Sequence, residues 1–147
     1  MADADTGGVE PVKIYENTFR LEPTEEQRFK PSVAVNAMKE TLEASMSYTL
    51  EKDEGGQYVW EYDREEAADV AKEVSQECTA RVKAALGEQP RYKLICHVVV
   101  SENVQQSFRV SSRCLWDKAF DNCATAEWRH PGGKLIALAM CFALYYE

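Results

Sequence analysis

Basic clusters, targeting signals and membrane-length apolar runs are all missing from this chain of 147 residues. Its net charge is −8, and its Lys and Arg residues form no patch that could bind phosphates, so nucleic acid is not an expected partner. Residues 1–11 are acidic and polar, unlike a signal peptide, which predicts a cytoplasmic location. The uncharged run 135–146 is shorter than the roughly 20 apolar residues that cross a bilayer, so no membrane partner is expected.

Metal-ligand spacing is also missing. No Cys-x-x-Cys pair occurs, and neither His97 nor His130 stands at ligand spacing from a cysteine, so no metal site and no cofactor is predicted. Reduced thiols in apolar runs behave as small hydrophobes. We therefore expect structural roles for the five cysteines, which are Cys78, Cys96, Cys114, Cys123 and Cys141.

Catalytic and nucleotide-binding motifs are lacking as well. The pairs Gly55-Gly56 and Gly132-Gly133 fit neither a dinucleotide-binding fingerprint nor a P-loop. The acidic residues at 63–66 suit the first turn of a helix better than paired catalytic carboxylates. The chain is therefore predicted not to be an enzyme. The alternative is a small hotdog-like or other α+β enzyme that uses His97 or Asp121.

Two amphipathic helices are predicted in the first two thirds of the chain. One begins at Pro31-Ser32, because proline suits a first turn, and continues with apolar residues three or four apart. The other begins at Asp63, with Glu66 in capping-box position, and ends at Gly87 and Pro90. Its predicted buried face consists of Ala67, Val70, Ala71, Val74, Cys78, Val82, Ala85 and Leu86.

The segment between the helices, residues 50–62, has no helical period. It is predicted to be a loop in which Tyr58, Trp60 and Tyr62 alternate with other residues. These aromatic side chains either anchor the loop on the domain, which is the favoured interpretation, or mark a binding loop.

Strand patterns fill the last third of the chain. Residues 92–101 alternate between an apolar face and a mixed face, and residues 108–116 alternate again. A weaker strand at 123–128 leads through a turn containing His130 to the run 134–146, which is predicted to be the central strand. Residues 101–106 contain no glycine to build a tight hairpin, so the second strand is expected to pass to a partner chain.

The domain organisation follows from these elements. Residues 1–13 are predicted to be a disordered acidic tail, residues 14–30 an extended N-terminal arm, and residues 31–147 a single α+β domain. The domain has two helices on a four-stranded antiparallel sheet. A small acidic domain with open strand ends and no reactive cluster is more plausibly a dimeric adaptor that adds another chain as a strand.

Several segments resemble the Tctex-type dynein light chains. They are Phe29-Lys30-Pro31-Ser32-Val33, Arg91-Tyr92-Lys93, residues 111–117 (Ser-Ser-Arg-Cys-Leu-Trp-Asp), Asp121-Asn122 and residues 142–146 (Phe-Ala-Leu-Tyr-Tyr). The arm at 16–23 is most similar to the Tctex2 branch of that family. The resemblance covers residues 16–147.

The resemblance implies a non-catalytic dynein subunit on the cytoskeleton, with the sheet completed in a dimer by exchange of the second strand. Its implied partners are dynein intermediate chains, added at the sheet edges, and either a Tctex1-type light chain or a second copy. The Tctex2 branch implies a cilium or flagellum axoneme. Carried onto this chain, the dimer and partner contacts fall on Phe108, Arg109, Val110, Ser111, Ser112, Arg113, Cys114, Leu115 and Trp116. The remaining alternative is a general dimeric adaptor outside dynein.

Overall fold

The two predicted helices and a three-stranded antiparallel sheet form the fold. A computed structural model describes residues 20–87 and 91–146. The predicted tail, the first part of the arm at 14–19 and the Pro90 stop signal lie outside the described residues. Within the described ranges, no helix has the length and apolarity needed to cross a membrane.

The first helix, α1, covers Pro31–Ser45 and begins at the proline, as the sequence predicted. Proline is favourable there because its missing N–H would have no acceptor within the helix. A short 3-10 turn, Ser47–Leu50, follows it. The buried face of α1 consists of Ala34, Met38, Thr41 and Leu42.

The second helix, α2, covers Arg64–Ala85. The Asp63 carboxylate accepts a hydrogen bond from the Glu66 N–H at 2.8 Å, as the capping pattern predicted. Gly87 has a φ of 74°, which suits a residue just beyond a helix end. One position on the predicted buried face is wrong, because Ala85 in the final turn is exposed to solvent.

The sheet has the order β1-β3-β2, with β1 at Tyr92–Glu102, β2 at Asn122–Arg129 and β3 at Leu135–Tyr145. Both outer strands run antiparallel to β3, so the C-terminal strand is central, as predicted. Helix α1 packs on β2, and α2 packs on β1, on the same sheet face. The strand residues of the resulting core include Val98, Ala124, Ala126, Leu135, Ala137, Ala139, Cys141 and Ala143.

The predicted fourth strand, residues 108–116, is not formed in the single chain. These residues have neither helical nor strand hydrogen bonding, and the sheet of the described chain has three strands rather than four. The physical reason lies just after β1, where residues 101–106 contain no glycine and no Asn-Gly or Asp-Gly pair to build a tight hairpin turn. Gln105 takes a φ of 68°. The chain therefore does not fold straight back beside β1.

The described part of the N-terminal arm, residues 20–30, packs on the domain. Pro23 is buried, and Phe29 belongs to the core. The Tyr145 hydroxyl donates a hydrogen bond to the Arg20 carbonyl oxygen at 2.7 Å, which ties the arm to the end of β3.

Candidate partner-binding surface

The crossing segment, residues 103–121, connects the end of β1 to the start of β2. Both of these strands run in the same direction, so the segment must return along the length of the sheet. Its first end is fixed by Asn103, whose backbone N–H donates to the Lys134 carbonyl oxygen at 2.9 Å. The Asn103 side-chain amide also donates to the Gly133 carbonyl oxygen at 2.7 Å.

The second end of the crossing segment is fixed by Asp121. One carboxylate oxygen accepts from the Tyr145 N–H at 2.7 Å, and the other accepts from the Asp117 N–H at 2.9 Å. The Tyr92 hydroxyl adds a hydrogen bond to the Phe120 carbonyl oxygen at 2.9 Å. This end is therefore attached to both β1 and β3.

Between these two ends lies the unpaired stretch, residues 107–115. Within the described parts of the chain, neither its backbone nor its side chains make a hydrogen bond or an ion pair. Every residue in it is exposed, including Phe108, Val110 and Leu115. Exposed backbone donors and acceptors in an alternating sequence can pair with a strand of another chain.

The unpaired stretch crosses the outer face of the sheet, which is the face away from the helices. On β3 this face carries Ile136, Leu138, Met140, Phe142 and Leu144, because the residues between them pack toward the core. A cavity of about 620 Å³ separates part of the stretch from β2 and β3. The outer face is thus apolar along its centre and only loosely covered.

The predicted site residues lie in three different environments. Four of them line this cavity, namely Phe108, Arg109, Val110 and Ser112. Ser111, Arg113, Cys114 and Leu115 do not line it and are exposed. The last one, Trp116, is half-buried, and its ring lies 6.4 Å from that of Phe142 between centroids.

Two open sheet edges accompany this surface. Within the described chain, β1 and β2 each pair only with β3, so each presents one row of backbone groups without a strand partner. An edge of this kind accepts an added strand.

The two residues named for a catalytic alternative do not come together. His97 is exposed on the outer face and pairs with Met140, whereas Asp121 binds the amide of Tyr145. Met140 and Tyr145 are roughly 16 Å apart along β3, at about 3.3 Å for each residue. Both oxygens of Asp121 are used by backbone amides. Among the described residues, no group of three metal-ligating side chains is found.

His130 lies in the turn between β2 and β3, as predicted, because its carbonyl oxygen accepts from the Gly133 N–H at 2.8 Å, but the structure also gives it a buried role. His130 is 3% exposed, and its Nδ1 accepts from the Gly132 N–H at 2.9 Å. This fixes the neutral tautomer, so Nε2–H donates to the Thr49 carbonyl oxygen at 2.9 Å. The period of two that buries Ala124 and Ala126 extends to this histidine and could have revealed it.

The loop at 51–62 is anchored on the domain, which confirms the favoured interpretation. The Lys134 ammonium donates to the carbonyl oxygens of Tyr58 and Trp60, each at 2.9 Å. The Tyr58 ring meets the His130 ring edge-on at 4.6 Å between centroids. The aromatic residues of this loop are therefore used within the domain.

Comparison with known proteins gives one consistent result. The sequence model of the Tctex-1 family matches residues 28–144. The chain is 32% identical over 137 residues to Dynein light chain Tctex-type 5-B of Xenopus laevis, covering 93% of this chain and 68% of that protein. It is 31% identical over 131 residues to Dynein light chain Tctex-type protein 2B of Bos taurus, covering 89% of this chain and 76% of the relative.

A further relative is Dynein light chain Tctex-type 4 of Homo sapiens, with 28% identity over 137 residues that cover 93% of this chain and 55% of the relative. A type 2B protein thus stands among the relatives, at an identity similar to that of types 5 and 4. These names describe motor subunits, which supports the prediction that the chain is not an enzyme. The family match across residues 28–144 and relatives at about 30% identity over most of the sequence show that this chain belongs to the Tctex-1 family.

Proposed function

We propose that this chain is a non-catalytic light chain of a dynein motor and that it works as a dimer. In this proposal, residues 108–116 leave their own chain and complete the sheet of a second light chain, either a Tctex1-type chain or another copy. The assembled sheet then holds a dynein intermediate chain as an added strand. The ciliary or flagellar axoneme is the proposed location, from the resemblance to the Tctex2 branch.

The observation that carries the proposal is the unpaired stretch. Within residues 20–87 and 91–146, this alternating segment makes no hydrogen bond, it lies over an apolar sheet face, and both edges of the sheet are open. Residues 108–116 would extend for about 30 Å as a strand, which matches β2 with its 8 residues. Pairing would satisfy the backbone groups, and it would let the outer face pack against a partner.

The positive charge of this stretch favours a partner with an acidic surface. Arg109 and Arg113 are its charged residues, in a chain whose net charge is −8. A basic strand from one copy would therefore meet an acidic second copy or an acidic intermediate-chain segment.

Size-exclusion chromatography with light scattering tests dimer formation. The chain is run alone and then mixed with a Tctex1-type light chain, and a dimer mass is expected in at least one of the two runs. A stable monomer in both runs would contradict the proposal.

Affinity purification from ciliated cells tests the motor assignment separately. Dynein intermediate chains are expected among the recovered proteins. Recovery of a dimeric light chain without any dynein subunit would instead support a general adaptor outside dynein.

A further inference from the structure

A pair of thiols lies between α2 and the sheet, on the sheet face opposite the unpaired stretch. Cys96 on β1 and Cys141 on β3 are direct cross-strand partners and point toward the helices. Cys141 is fully buried, whereas Cys96 is half-buried. Cys78 of α2 is buried in the same region of the core.

The hydrogen-bond register places the pair where a disulfide can close. Near the two ends of the β1–β3 ladder, the Tyr146 N–H donates to the Arg91 carbonyl oxygen, and the Asn103 N–H donates to that of Lys134. Hydrogen-bonded and non-hydrogen-bonded pairs alternate along antiparallel strands. The pairs at Arg91 and at Asn103 are hydrogen-bonded, and Cys96 is an odd number of residues from both, so the Cys96–Cys141 pair is non-hydrogen-bonded. The Cα atoms of a non-hydrogen-bonded pair lie about 4.5 Å apart, within the range that a disulfide spans.

Solvent reaches this pair from the side of Cys96. A cavity of about 210 Å³ lies between α2 and the open edge of β1, and Lys72, Ser75, Cys96 and His97 are among its lining residues. The cavity is large enough for a small oxidant. Cys141 lies behind Cys96, in the sheet interior.

The environment of Cys96 favours its thiolate. A hydrogen bond from the Cys141 thiol lowers the pKa of Cys96 to about 7, although burial opposes this change. The same contact, together with burial, raises the pKa of Cys141. The charge belongs on Cys96 because Cys96 is less desolvated than its partner. The facing groups are Cys78, Thr79 and Lys72 from α2, and Cys141 from β3.

We propose that Cys96 is a modification site for hydroperoxides and that Cys141 resolves it into a cross-strand disulfide. The Cys96 thiolate attacks the terminal peroxide oxygen, the O–O bond breaks, and the leaving hydroxide or alkoxide takes up a proton. Cys96 is thereby oxidised to a sulfenic acid. The Cys141 sulfur then attacks the Cys96 sulfur, forming the S–S bond and releasing water. The hydroperoxide is the oxidant for the overall two-electron step.

Peptide mapping of the full-length protein tests the proposal. The reduced protein is treated with hydrogen peroxide, alkylated and digested without reductant. The expected product has lost two hydrogen atoms and contains a Cys96–Cys141 linkage that dithiothreitol removes.

In Cys141→Ser, the sulfenic acid is expected to remain on Cys96 and to be trapped by dimedone. In the control Cys123→Ser, the linkage still forms. A linkage to Cys78, or oxidation only at Cys114 or Cys123, would overturn the proposal.

Alkylation of the wild-type protein keeps the test independent of any folding defect in Cys141→Ser. The rate of iodoacetamide labelling at Cys96 is measured against pH by mass spectrometry. It should reach half of its maximum near pH 7, against about pH 8.5 for a free thiol. A half-maximum at or above pH 8.5, or no labelling in the native protein, would overturn the proposal.

Discussion

Gly132 illustrates how closely single residues are packed where the turn between β2 and β3 meets the loop at 51–62. A Cβ atom placed on Gly132 would lie 2.7 Å from Tyr58 Cδ2 and 3.0 Å from His130 Cε1. Neither ring can move freely, because each packs against the other. A side chain larger than hydrogen at position 132 must therefore displace the aromatic anchor of the loop.

The substitution Gly132→Ala is expected to lower the free energy of unfolding by about 1–3 kcal/mol, the usual cost of overpacking. Urea denaturation followed by circular dichroism measures the change. Gly55→Ala is the control, since its nearest neighbour would be an oxygen of the exposed Asp53 carboxylate at 3.3 Å, a milder contact than the 2.7 Å at Gly132. We expect a change of at most about 0.5 kcal/mol for this control. Equal effects of the two substitutions would contradict the contact described for Gly132.

Lys134 has a structural role that its charge alone would not suggest. Replacing it by Met leaves the carbonyl oxygens of Tyr58 and Trp60 without their donor, so a loss of about 1–2 kcal/mol in unfolding free energy is expected. The matched control is Lys72→Met. Lys72 forms an exposed ion pair with Asp69 at 3.1 Å, and its removal should cost less than about 0.5 kcal/mol. A smaller effect at Lys134 than at Lys72 would show that the loop is not held as described.

At the scale of secondary-structure elements, the stability of helix α2 depends on the capping hydrogen bond in its first turn. The substitution Asp63→Ala removes the acceptor for the Glu66 N–H and is expected to cost about 1 kcal/mol. Thermal unfolding measures this as a lower midpoint temperature. Glu65→Ala is the control, because Glu65 is exposed in the same first turn and is not the capping residue. The capping account fails if both variants unfold at the same temperature.

The crossing segment allows a test with two neighbouring proline substitutions. Proline removes the backbone donor, and the N–H groups of successive strand residues face opposite edges. Val110→Pro and Ser111→Pro should therefore act on different edges of the exchanged strand. One variant should fail to dimerise, and the other should dimerise but lose the intermediate-chain segment.

Neither proline should unfold the monomer, because the amides of residues 110 and 111 make no hydrogen bond to any described part of the single chain. Val110→Thr keeps the backbone donor and serves as the control in the same chromatography and binding measurements. If both proline variants dimerise and bind like the unmodified chain, residues 108–116 do not form the exchanged strand.

Most elements could be predicted from the sequence because their signals are local. Pro31 and Asp63 mark helix starts through backbone chemistry within one turn, and the uncharged run at 135–146 indicates a strand buried on both faces. The buried role of His130 was missed because its side-chain hydrogen bonds include one to Thr49, which is far away in sequence. The fourth strand could not be judged from one chain, because a strand needs a partner and residues 108–116 pair with no strand among the described residues.

At the scale of the whole molecule, the helical side of the sheet is complete, but the other side is not. The core between α1, α2 and the sheet contains fully buried residues such as Met38, Leu42 and Leu135. Among the residues that the structure describes, only the crossing segment lies over the outer face, with its unpaired stretch and a cavity beneath. This asymmetry is the physical reason to expect assembly with a second light chain and an added strand.

Amide hydrogen exchange of residues 107–115 in the isolated dimer tests the central claim most directly. If this stretch is exchanged between chains, about every second amide in it should be protected to the same degree as the amides of β3, and all of them should exchange quickly in the monomer. Fast exchange throughout residues 107–115 in a dimer of confirmed mass would show that the chain assembles without lending this segment to its partner.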